Sequence, residues 1–197
     1  HAVEAYTCLA KNPISDAYAS AAIRKIVTAL PQVLADPGHT NARLDLAEAA
    51  TMAGIAFSNS MVGLVHAIGH SLGAVCHLHH GTCMSVLLPY VLEYNFDNIR
   101  DELGGLLPFL AGDEVARATP LEDRASASIA AIRELRDKIF DVTQLPRSLS
   151  ESGKVDESQF EQIADLAVND GAIMFNPVEA DRSDILRILE GAWSLPN

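Results

Sequence analysis

The segment Met61–Gly73, MVGLVHAIGHSLG, is apolar on nearly every side and still carries two histidines. A surface helix keeps one polar face, whereas a helix that lacks one belongs in the middle of a bundle. The segment therefore predicts a central helix enclosed by others.

The remaining sequence offers the enclosing helices. Hydrophobic residues make up 49% of the 197 and aromatics only 6%, with Ala and Leu abundant, which favours helices packed through small side chains over a β-sandwich. The expected fold is all-α, a single helical-bundle domain over residues 1–197. His1–Ala10 reads as the tail of a helix stopped by Lys11-Asn-Pro13. A second helix, Asp16–Ala35, is capped by Ser15 and kinked or divided at Pro31. After the turn Asp36-Pro-Gly38, a helix over Asn41–Ser60 is expected to bury Leu44, Ala47, Met52, Ile55 and Ala56. Gly81–Tyr94 reads as another enclosed helix. Thr119-Pro-Leu-Glu122 has the form of an N-cap with Pro at the first helical position, opening a helix to about Val142. Helices over Asp156–Val168 and Arg182–Trp193 complete the set, with loops at Pro37–Thr40 and Leu110–Thr119. The chain opens without Met, and His1-Ala-Val-Glu-Ala-Tyr6 reads as helix interior, so a fragment of a longer protein is expected.

Charge narrows the partners. Fourteen Lys and Arg against 26 Asp and Glu leave a formal charge of −12, a field that repels phosphate backbones and anionic lipid, so nucleic acid is not an expected partner. No apolar run is long enough to span a bilayer, and membrane attachment is not expected. The odd count of cysteines, Cys8, Cys76 and Cys83, fits a reducing, cytoplasmic setting.

The chemistry concentrates between Val65 and Gly81, where five of the seven histidines lie. His66 and His70 are one helical turn apart on one face, a spacing at which two imidazoles share a metal or one ligates while the other works beside it. His80 follows the expected end of that helix, where the chain can turn to face back at His66. Gly69 and Gly73 thin the backbone so that a ligand or another segment can approach. His77 and His79 read as solvated neighbours, as does His39 in its Pro-Gly turn. A zinc knuckle made of Cys76, His77, His79, His80 and Cys83 is disfavoured, because structural zinc sites draw on two well-separated ligand pairs.

Gly63-Leu-Val-His66-Ala-Ile-Gly-His70-Ser-Leu-Gly73, then His80-Gly81, then Leu88-Pro89 through Tyr94-Asn95, closely resembles the signature of the iron-containing (group III) alcohol dehydrogenases. His1–Tyr6 resembles the helix that follows an Asp-x-x-x-His metal pair in that family. Ala53–Asn59 resembles its pocket helix, and Asn176-Pro177 through Trp193 resembles its ending, although Val178 stands where the family often has Arg. The resemblance implies a C-terminal helical domain that holds a divalent metal, iron or zinc, through His1, His66 and His80. The Asp of the pair would precede His1. It further implies an NAD- or NADP-binding N-terminal domain absent from these residues, and a small alcohol or aldehyde as substrate. His70 becomes the catalytic proton relay, and Phe57 and His70 face the cofactor. The fragment alone is expected to be inactive, and the face left by the absent domain leaves room for self-association. The competing expectation is a free-standing helical interaction module in which the histidines are relics.

Overall fold

The computed structural model describes residues 1–195, and every regular element among them is helical. Ten α-helices run in order: α1 (Ala2–Thr7), α2 (Pro13–Ala35), α3 (Thr40–Ser60), α4 (Leu64–Cys76), α5 (His80–Tyr94), α6 (Arg100–Ala111), α7 (Asp113–Ala118), α8 (Arg124–Thr143), α9 (Phe160–Ala167) and α10 (Arg182–Trp193). Short 3₁₀ turns lie before α6, α8, α9 and α10. Among the described residues no single helix is long and apolar enough to cross a membrane.

The central helix is α4. Leu64, Val65, Ala67, Ile68 and Leu72 are all buried, and they pack with Val86, Leu87 and Val91 of α5, Phe160, Ile163 and Ala164 of α9, and Ile185 and Leu189 of α10. A second core joins α1, α2, α3, α6 and α8 through Ala2, Ala5, Ala19, Ala22, Ile23, Ala53, Ala56, Leu103, Leu106 and Ile129. Helix α5 belongs to both, since its Leu92 enters the second core. Gly69 makes the close α4–α5 approach possible: a Cβ there would stand 2.2 Å from Cε of Met84. Cys8, Cys76 and Cys83 are free thiols buried in the interior.

Several local expectations give way to tertiary context. Helix α2 is capped by Asn12 rather than Ser15. The Asn12 side chain accepts from the N–H groups of Ile14 and Ser15 at 3.1 Å, Pro13 takes the first helical position, and Ser15 returns a bond to the Asn12 N–H at 3.0 Å. Pro31 does not divide α2, because it lies near the C-terminal end, where only one ladder bond is forfeited. Leu110–Thr119 is not a loop. Gly112, at φ 94°, is a one-residue joint between α6 and α7, a backbone state that glycine reaches without Cβ strain. Thr119 closes α7, its hydroxyl donating to the Val115 carbonyl at 2.8 Å, and α8 begins only at Arg124 after a 3₁₀ turn.

The largest difference concerns α3. Its buried residues are Ala42, Ala49, Ala53, Ala56 and Ser60, while Leu44 is 58% exposed and Ala47 and Ile55 are also exposed. The α2–α3 pair packs through small residues on both sides, Ala19 and Ala22 sharing a core with Ala53 and Ala56 of α3. On an alanine-rich helix the bulky residues do not define the buried stripe; the face that allows the closest backbone approach does. Ala49→Leu is therefore expected to destabilise the chain by about 1–3 kcal/mol through overpacking. Leu44→Ala should stay within about 0.5 kcal/mol, as for an exposed site. Urea unfolding of the two variants checks the assignment, and a larger loss from Leu44→Ala would reverse it.

Candidate metal centre

Three helix segments deliver the histidines to one place. His1 is the N-cap of α1, His66 lies in the first turn of α4, and His80 is the first residue of α5. His77 adopts the left-handed conformation at φ 53°, ψ 36°, which stops α4 and reverses the chain, and α5 starts three residues later. The ring centroids of His66 stand 4.5 Å from those of His1 and 5.4 Å from His80, and His1 and His80 are 5.7 Å apart. One ring nitrogen from each of the three can be chosen so that all lie within 4.8 Å of one another. His70, one turn beyond His66, has its ring 5.6 Å from His66 and 5.7 Å from His80. Phe57 of α3 packs its ring 4.5 Å from that of His1.

His66 is 2% exposed, but His1 and His80 are exposed and His70 keeps 46% of its side chain open. Among the described residues, His66 therefore forms the floor and His1, His70 and His80 the rim of the cluster.

The polar groups behind the rings come from distant parts of the chain. Glu4 of α1 is 5% exposed. Its Oε1 accepts from the Val65 N–H at 2.9 Å, and its Oε2 meets Nδ1 of His66. The next N–H of the same helix start, that of Leu64, donates to Oδ1 of Asn176 at 3.2 Å. Asn176 pairs reciprocally with Asn95 at 2.8 and 2.9 Å and also donates to the Val178 carbonyl at 2.7 Å. Gly63 leaves space for this arrangement: a Cβ would lie 3.0 Å from Oδ1 of Asn176 and 3.2 Å from Oε1 of Glu4. His70 has a separate partner, its Nδ1 lying 2.9 Å from Oδ2 of Asp170, whose other oxygen accepts from the Ala172 N–H at 2.8 Å. Partial burial, followed by the neighbouring His66 and His70, holds the His80 imidazole below the usual histidine range and favours its neutral, lone-pair form.

The structure thus brings His1, His66, His70, His80 and Phe57 together. It keeps the other histidines apart for local work: Nδ1 of His79 caps α5 by accepting from Gly81 at 3.2 Å, and Nδ1 of His39 caps α3 by accepting from Ala42 at 3.2 Å. Neither is the merely solvated neighbour that the sequence suggested. Glu4 and Asp170 are the site residues that sequence reasoning missed. The available signal for Glu4 was a lone carboxylate in an otherwise apolar and small helix beginning with His1; Asp170 had none.

The fold and the cluster together define a helical domain organised around histidines in metal-ligand spacing. Residues 1–193 match the model of the Fe-containing alcohol dehydrogenase family, C-terminal region, and the chain belongs to that family. It is 36% identical over 193 residues to 1,3-propanediol dehydrogenase of Klebsiella pneumoniae, covering 98% of this chain and 48% of that protein. It is 35% identical over 196 residues to alcohol dehydrogenase 4 of Saccharomyces cerevisiae, with the same shares covered. Among solved structures, an alcohol dehydrogenase from Oenococcus oeni superposes with a TM-score of 0.89 at 32% identity, over 98% of this chain and 48% of that one. The chain spans about half the length of the curated relatives it matches.

The buried amide pair is expected to be a principal anchor of the α4 start. Asn176→Ala would leave the Leu64 N–H and the Asn95 amide without partners, at roughly 1–3 kcal/mol per buried group. A loss of at least about 2 kcal/mol in urea unfolding is expected, and a loss below about 0.5 kcal/mol would show that the pair is not an anchor.

Proposed function

We propose that His1, His66 and His80 bind one divalent cation, iron in the first place and zinc as the alternative. We further propose that the protein containing this chain is an NAD(P)-dependent alcohol dehydrogenase that interconverts a short primary alcohol and its aldehyde. The observation that carries this reading is Nε2 of His66: it is buried at the convergence of the three rings and has no hydrogen-bond partner. A buried nitrogen lone pair without a partner is costly, and a cation held with His1 and His80 would relieve that cost. Neutral imidazoles and a carboxylate suit both iron and zinc. The resemblance supplies that carboxylate as the Asp of the Asp-x-x-x-His pair ahead of His1. The relic-histidine reading accounts less well for a buried imidazole oriented by a buried carboxylate.

When bound, the cation supplies Lewis acidity toward the alcohol oxygen and the nicotinamide supplies the hydride acceptor. The chain's own residues perform the remaining tasks. His70 moves the hydroxyl proton through Nε2, since Asp170 engages Nδ1 and holds the ring toward the cluster. Phe57, stacked beside His1, forms an apolar wall on one side of the site. The described residues contain no strand, and the sequence has no Gly-rich phosphate loop, so this reading assigns the nucleotide to a part of the protein outside these residues. Relatives named for propanediol, methanol and long-chain alcohols support an alcohol as substrate.

In the dehydrogenase that contains this chain, His66→Ala should abolish both bound metal and activity. His70→Ala should keep the metal and lower the rate by about 10²- to 10⁴-fold, the usual contribution of a positioned acid or base. Metal content by elemental analysis together with steady-state rates decides the matter, and retention of metal by both variants would defeat this assignment of roles.

A further inference from the structure

Resting on the metal reading above, we propose that Glu4 is a positioning residue: its carboxylate fixes His66 as the tautomer protonated on Nδ1, so that Nε2 presents its lone pair to the point shared with His1 and His80. Four observations on the structure support this. First, the two oxygens of Glu4 are divided between two partners, the Val65 N–H on Oε1 and His66 Nδ1 on Oε2. An ionised carboxylate only accepts, so its ring partner must donate, and the neutral imidazole is left with its bare nitrogen on the far side. Second, that far nitrogen is the buried atom without a hydrogen-bond partner.

Third, the carboxylate lies at the start of the 13-residue helix α4, where unpaired N–H groups and the helix dipole favour an anion. The ring to which Glu4 donates no proton is therefore oriented by a group that is itself anchored to backbone. Fourth, Glu4 shares α1 with His1. One side chain thus holds the helix carrying the first histidine against the helix carrying the second, and the separation of the two ligands is set before any ion arrives. His80, exposed at the start of α5, has no carboxylate partner of this kind among the described residues.

Glu4→Gln separates this role from simple helix capping. An amide that keeps its oxygen on the Val65 N–H must turn its NH₂ toward Nδ1. Nδ1 then has to accept, and the ring proton moves to Nε2, onto the atom assigned to the metal. The test uses the ¹⁵N-labelled protein that contains this chain, freed of metal by chelation, at about pH 8. Long-range ¹H–¹⁵N spectra should show His66 protonated on Nδ1 in the wild type and on Nε2 in Glu4→Gln. Titration with Co²⁺ alone, followed by its visible absorption, should show binding about 10- to 100-fold weaker in Glu4→Gln.

A wild-type His66 protonated on Nε2 would overturn the proposal whether or not the variant folds. So would a Glu4→Gln chain with unchanged tautomer and unchanged Co²⁺ affinity. If the wild type shows the Nδ1–H tautomer and the variant reverses it, yet neither binds Co²⁺, the role of Glu4 stands and the metal reading fails.

Discussion

The structure depends on how the first turn of α4 is satisfied. This helix is enclosed by apolar side chains, so its leading N–H groups cannot rely on water and must find acceptors inside the protein. They find them in Oε1 of Glu4 for Val65 and Oδ1 of Asn176 for Leu64, two groups separated in sequence by most of the chain. Leaving either donor unpaired would cost roughly 1–3 kcal/mol, a sizeable share of a domain's net stability. The same constraint gathers α1, the end of α5 and the Asn176 segment around one point. The histidine cluster is built on that point: His66 follows Val65 by one residue, and His1 precedes Glu4 on α1.

The position of the cluster follows from the two-core architecture. The core around α4, α9 and α10 uses large aliphatic side chains, whereas the core joining α1, α2 and α3 uses alanine, which lets backbones approach closely. Helix α5 packs in both, and the ring of its first residue, His80, lies near His66 of α4 and His1 ahead of α1, so the cluster draws on helices of both cores across their seam. A site at such a seam takes ligands from separately packed bodies, which makes their relative placement depend on the few polar contacts that cross between them. The Glu4 contact with His66 is one of those crossings.

Much of the fold was legible in the residues, for reasons that can be named. The buried helix around His66 announced itself because no face of it was polar, and α10 was bounded correctly because an apolar period ends in flanking polar residues at both sides. The convergence of His66, His70 and His80 followed from one helical turn plus one reversal. What misled was local chemistry with two uses. Thr119 has the hydroxyl of an N-cap, but the same hydroxyl closes the preceding helix. Gly112 resembles a loop residue and serves as a single joint. His39 and His79 resemble spare imidazoles and cap helices through Nδ1. On α3, two stripes were available, and the identity of its neighbour selected the alanine one.

The sequence by itself determined that the chain is helical, that α4 is interior, and which histidines share a helical face, because these properties come from periodicity and side-chain polarity within a few turns. Only the tertiary structure decided that Glu4 lies behind His66 and that Asp170 lies behind His70. Those contacts join residues 62 and 100 positions apart, and they form to satisfy buried donors and acceptors, a requirement that arises only once the helices have packed.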